Sequence, residues 1–288
     1  MEQICCILFI YSAGTMQIKI LSPLWGYEHL DLKLFIEKIK HAGYDGIETS
    51  IPEDPFKKQA LLNLISKHHL LLISHQHQAH GKHFSEFRDS FIHYLNMSKE
   101  GDPLMINSHT GRDYFTFEEN LELIDIASEF SYKRNINIAH ETHRGRFAYG
   151  PSATEKYFKA RSDFFITADL SHWVCVTESY LENFSQIIME TIERTRHIHA
   201  RVGYEEGPQV PDPRALEWSG ALGRFLNWWD LIIESQKQKE ASMFTITTEF
   251  GPPPYMPVLP FSNKPVADQF EINCYMKELL TNRYLLEQ

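Results

Sequence analysis

INIAHETHRGRFAYGPSATEKYFKARSDFFITADLSH, residues 136–172, is the stretch that decides the fold. It opens on a short β-prone run at 136–139 that stops at His140-Glu141-Thr142-His143. A helical stretch follows at 152–161. A second apolar run at 164–168 then ends in Asp169-Leu170-Ser171-His172. Two strand-like runs joined through a helix make a parallel pair, because a crossover connection sends the second strand in the same direction as the first. Both runs therefore carry their last, polar residues to the same end of a sheet.

The same unit continues in both directions. Towards the N-terminus, 17–21, 46–49, 70–74 and 104–107 read as strands, with helical periodicity at 31–41, 55–69, 84–98 and 116–132. Towards the C-terminus, 196–200 and 243–248 read as strands, with helices expected at 181–194, 222–236 and 264–284. Local punctuation agrees with this. Gly43 is placed as a helix C-cap, and Thr116 precedes Glu118-Glu119 as an N-cap does. Eight strands and eight helices in strict alternation predict an α/β fold, a (β/α)8 TIM barrel with a parallel eight-stranded sheet closed on itself. A dinucleotide-binding sheet would want GxGxxG after an early strand, and the chain has none.

Composition fits that reading. The chain has 288 residues, 43% hydrophobic and 23% charged, which suffices for a packed core of one barrel domain over 16–288. Residues 1–15 read as an N-terminal extension: the apolar run at 4–11 lacks the basic flank of a secretory signal and is too short to span a bilayer. A cytoplasmic location and no membrane partner are expected. The four cysteines show no CxxC spacing and read as reduced thiols. A net charge of -10 argues against a nucleic-acid partner, which favours a basic footprint.

The chemistry gathers where strands end. Strands three to eight terminate near His77, His109, Glu141, Asp169, His199 and Glu249. In a parallel barrel every strand opens onto the same face, so residues far apart in sequence converge there. Three carboxylates sharing one mouth repel strongly at low dielectric, and a divalent cation removes that cost. Two Glu, one Asp and one His form a largely hard-oxygen set that suits one Mn2+, with Mg2+, Co2+ or Zn2+ also compatible.

Five segments in order make the pattern specific: Gly43-Tyr44-Asp45-Gly46-Ile47-Glu48, His140-Glu141-Thr142-His143, Asp169-Leu170-Ser171-His172, His197-Ile198-His199 and Glu249-Phe250-Gly251. Together they resemble the sugar phosphate isomerase/epimerase superfamily of xylose isomerase-like barrels. This superfamily includes ketose 3-epimerases, inosose dehydratases, hydroxypyruvate isomerases and endonuclease IV. The resemblance runs from Met16 to the C-terminus. It implies that Glu141, Asp169, His199 and Glu249 ligate one metal and that His172 binds a substrate oxygen. It also implies that Glu141 and Glu249 act as acid and base on a small sugar-like substrate through a cis-enediolate. The ketose 3-epimerases carry an arginine six residues after the metal histidine. Here Glu205 stands there and Arg201 lies two residues on, so ketose 3-epimerase itself is not assigned. Dehydration by the same enolisation and phosphodiester hydrolysis are the alternatives.

Further residues have two readings each. His75, His77 and His109 hold further metal or face substrate. Arg201, Arg144 and Arg146 bind an anionic group or lie on the surface. Trp173 stacks on a sugar or packs in the core, and Trp228 and Trp229 serve the core or an interface. The 251–255 run stiffens the mouth, and 203–218 forms a lid or a contact within a homo-oligomer.

Overall fold

The structure, a computed structural model, describes residues 16–286; the extension at 1–15, with Cys5 and Cys6, lies outside the described residues. Eight short strands pair in chain order: β1 (Gln17–Pro23), β2 (Gly46–Thr49), β3 (Leu71–Gln76), β4 (Met105–Ser108), β5 (Asn137–Glu141), β6 (Phe165–Ala168), β7 (Thr195–His199) and β8 (Met243–Thr247). Every pairing is parallel, and β8 pairs back onto β1, so the sheet is a closed barrel. Where β2 meets β3 the approach is tight. A side chain at Gly46 would place its first carbon 2.4 Å from the Leu71 carbonyl oxygen, so only glycine fits there.

The expected single helix stands at six of the seven crossovers between strands. Around the barrel run α1 (Leu32–His41), α2 (Pro55–Lys67), α3 (Phe84–Lys99), α4 (Phe117–Arg134), α5 (Pro151–Ala160), α6 (Leu170–Thr177), α7 (Ser185–Arg194), α8 (Ser219–Gln238) and α9 (Gln269–Thr281). The described residues thus hold nine α-helices where eight were expected. The additional one, α6, starts directly after β6 with Asp169 as its N-cap, whose side chain accepts from the Ser171 N–H. The last helix also begins later than expected, at Gln269, behind the Asp268 cap. The residues ahead of it make a hairpin-like excursion pinned by a Val258–Pro265 bridge. Among the described residues no helix is long and apolar enough to cross a membrane.

Strand residues alternate between the two faces of the sheet, and this decides what the barrel encloses. Ile18, Ile20, Ile47, Leu72, Ile166, Ile198, Phe244 and Ile246 join Phe35, Ile39, Phe225, Trp229 and Ile272 of the surrounding helices in the main core. The other parity points into the barrel. Low in the barrel it supplies a small apolar plug of Leu21, Ile73, Met105 and Ala139. Above the plug the same parity supplies Glu48, His75, Asn107, Glu141, His197 and His199, so one alternation produces both the plug and the polar mouth.

Candidate active site

Glu141 ends β5, Asp169 follows β6, His199 ends β7 and Glu249 follows β8. The barrel brings these four expected residues together. One ligating atom from each lies within 4.8 Å of the others, and all four residues are buried. Three of their atoms, Glu141 Oε1, His199 Nδ1 and Glu249 Oε2, are buried and make no hydrogen bond, although His199 Nδ1 and Glu249 Oε2 face each other as an ion pair at 2.6 Å. Buried polar atoms are seldom left so. Three carboxylates and one imidazole gathered this closely, with such atoms among them, fit a cation as a shared partner.

The surrounding residues hold these groups in place. Glu141 Oε2 accepts from Asn107 Nδ2 at 2.9 Å and lies 3.0 Å from His109 Nε2. His199 turns Nε2 towards both oxygens of Glu48, at 3.1 Å each, and Nδ1 towards Glu249 Oε2 at 2.6 Å. Glu48 also receives Asn107 Nδ2 at 3.0 Å and lies 3.1 Å from His197 Nε2. A carboxylate on the far nitrogen of a ligating imidazole fixes its tautomer and raises its basicity. Glu48 therefore belongs to the site, although the sequence marks it only as part of a motif. Its partner His199 is 151 positions away, so no local spacing signals the pairing.

Charge is concentrated here. Burial pushes the Glu48 and Glu141 carboxyls up, but His199 and His197 outweigh it at Glu48, and His109 and His199 at Glu141; both groups are held well below the usual carboxylate range. Burial likewise opposes charge on His199, yet Glu249, Glu48 and Glu141 raise its pKa well above that of a free imidazole. Asp169 is pushed up to about 6, mainly by burial; Arg201 opposes the shift, while Glu249 and Glu141 add to it. His75 and His109 are both pushed down by burial, His75 to about 4.

The remaining candidates divide. Arg201 is 1% exposed and pairs with Asp169 Oδ2. Its guanidinium lies 4.8 Å from the Tyr255 ring and 2.9 Å from His172 Nε2. His172 is fully buried behind Arg201. His77 and His109 line the pocket with His75, Glu48, Glu141, Arg201, Glu249 and Tyr255. Trp173 does not reach the pocket: it is buried in the main core and donates its indole N–H to the Ala148 carbonyl, so the stacking role is corrected to packing. Trp228 and Trp229 also lie in that core. The first half of the 203–218 segment is tied down, with Gln209 bonded in both directions to Gly251 and Val210 N–H donating to the Val202 carbonyl. A second set of ligand-type atoms, from His75, His109 and Glu141, shares Glu141 with the first.

No family model and no curated protein matches the chain. Solved structures do. A xylose isomerase-like TIM barrel protein from Mycobacterium smegmatis, in complex with magnesium, superposes with a TM-score of 0.61 at 9% identity, covering 95% of this chain and 99% of that one. A D-tagatose 3-epimerase-like protein gives 0.60 at 16% identity over 92% and 96%. Endonuclease IV from Thermus thermophilus gives 0.56 at 11% identity over 94% and 100%. At such identities the likeness speaks for architecture alone: the chain is a (β/α)8 TIM barrel, similar in fold to these proteins.

Proposed function

We propose that the chain is a divalent-metal-dependent isomerase or epimerase of a small sugar or sugar derivative. The observation that carries the reading is the meeting of Glu141, Asp169, His199 and Glu249 in one buried cluster, with one ligand-type atom from each within 4.8 Å of the others. A cation bound there, with Mn2+ preferred, would polarise adjacent hydroxyl and carbonyl oxygens and so acidify the C–H between them. Glu141 and Glu249 then have complementary tasks, one removing the substrate proton and the other returning it to the neighbouring carbon or the opposite face. Asn107 and His109 hold Glu141 by its Oε2, which leaves Oε1 free to work. Glu48 keeps the His199 ring oriented. His77 and Tyr255 line the route in and would contact substrate hydroxyls.

The test is exchange of substrate C–H with deuterated water, followed by NMR over a panel of ketoses, aldoses and inososes with added Mn2+. Exchange should require the metal and be abolished in both Glu141→Gln and Glu249→Gln; near-normal exchange in either variant contradicts the acid–base assignment. Product analysis separates isomerisation and epimerisation from loss of water.

A second reading, metal-assisted phosphodiester hydrolysis, is favoured by the His75, His109 and Glu141 set beside the first and by the likeness to endonuclease IV. The net charge of -10 weighs against it. Cleavage of DNA carrying an abasic site would decide for it.

A further inference from the structure

His75, His109 and Glu141 have the residue types and spacing of a second cation site beside the proposed one. His75 Nε2 lies 3.6 Å from Glu141 Oε2 and is buried without a hydrogen-bond partner. What decides whether that position can take an ion is which ring nitrogen of His109 offers a lone pair, and a residue outside the set controls it. We infer that Arg146 holds His109 as the Nε2–H tautomer and so closes this second cation position beside the first.

The argument begins in the sequence His143-Arg144-Gly145-Arg146. The Arg146 N–H donates to the His143 carbonyl, and Gly145 takes φ +76°, which a glycine supplies without strain. This turn folds the chain back after β5 and brings Arg146 over His109. Arg146 Nη2 lies 3.1 Å from His109 Nδ1. A guanidinium has donors and no acceptor, so His109 Nδ1 must present its lone pair. A neutral imidazole carries its single proton on the other nitrogen. That nitrogen is Nε2, 3.0 Å from Glu141 Oε2, where it donates. Both ring nitrogens are thereby committed.

A metal ligand must offer a lone pair. For His109 Nε2 to ligate, the proton would have to move to Nδ1, where it would point at a cationic donor with nothing to accept it. The positive guanidinium one ring away also repels a second cation. The same arrangement serves the first site, since the Nε2–H bond holds the Glu141 carboxylate by its Oε2. Arg146 is thus a positioning residue that selects between one-ion and two-ion chemistry on the same strand ends.

The ion count rests on the metal reading proposed above; the tautomer does not. The experiment therefore reads both. Mn2+ and Zn2+ are titrated calorimetrically into metal-free wild type, Arg146→Lys and Arg146→Gln, and bound ions are counted by mass spectrometry. The His109 tautomer is read in metal-free, 15N-histidine-labelled protein by long-range 15N–1H correlation, with assignment by loss of the signal in His109→Gln. Lysine also only donates, whereas glutamine offers a carbonyl that accepts from Nδ1–H. One ion per chain is expected for wild type and Arg146→Lys, and two for Arg146→Gln, with wild-type His109 protonated at Nε2. Two ions in wild type, one ion in a folded Arg146→Gln, or an Nδ1–H tautomer in wild type would each overturn the inference. No ion in wild type would overturn the metal centre itself, and the tautomer would then judge Arg146 alone.

Discussion

At the scale of single residues, the site is built from pairs that the chain cannot announce locally. Glu48 sits inside a four-residue strand, fully surrounded, and meets His197 and His199 from the far side of the barrel. The strand-end residues were legible because two rules suffice for them: side chains alternate along a strand, and parallel strands open on one face. Glu48 lies one layer deeper, where only the closed ring decides which side chains face each other. Trp173 fails for a related reason. It follows His172 in sequence, but successive residues on a helix are turned by about 100°. A His172 facing Arg201 therefore sends Trp173 outward to the Ala148 carbonyl. The Glu48 assignment has a direct consequence. Glu48→Gln keeps the shape of the side chain and removes the charge behind His199, so Mn2+ affinity should fall by about 10–100-fold. Calorimetric titration reads this, and an unchanged affinity would reduce Glu48 to a packing residue.

At the scale of elements, the chain signals its helices unevenly. α4 was plain, because Thr116 accepts from the Glu119 N–H while Glu119 accepts from the Thr116 N–H, and the helix ends on basic residues before Asn135 in the left-handed conformation. By contrast α6, LSHWVCVT, has buried residues in sequence from Leu170 to Val174, so no polar face marks its turns. Its start is masked too, because Asp169 serves as cap and as site carboxylate at once. Capping of this kind has a measurable weight. Thr116→Ala removes one acceptor and breaks the reciprocal bond, which should cost about 1 kcal/mol of unfolding free energy. The cap is exposed and its two bonds stay within the first turn of α4, so metal binding should not change. Urea unfolding monitored by circular dichroism checks the first part, and a loss below about 0.3 kcal/mol would mean that water replaces the cap.

At the scale of the whole molecule, closure of the barrel makes the two ends of the chain depend on each other. β1 pairs with β8, and α9, which follows β8, ties down the mouth. Asn273 accepts from the Phe250 N–H and donates to the Phe250 carbonyl, and Gln269 donates to the carbonyls of Phe250 and Trp25. Glu249 is therefore held from behind by the last helix. That helix is in turn fastened to α8 just beyond its end, where Arg283 and Tyr284 both donate to Asp230. Burial pushes the Asp230 carboxyl up, but the bonds from Arg283 and Tyr284 win and hold it below its ordinary value of 3.8. A carboxyl whose folded pKa is depressed stabilises the fold fully above its unfolded pKa, and the contribution drains away as pH falls through the folded value. Wild type should therefore be more stable than Asp230→Asn by a constant margin from neutral pH down to about pH 5, and the margin should narrow in stronger acid. Because the clasp is half-exposed, the margin should also shrink with added salt. Denaturant titrations of both proteins across that range decide the matter: a margin that stays constant into strong acid, or widens there, would show that the clasp acts by shape and not by charge, and that the mouth is held without it.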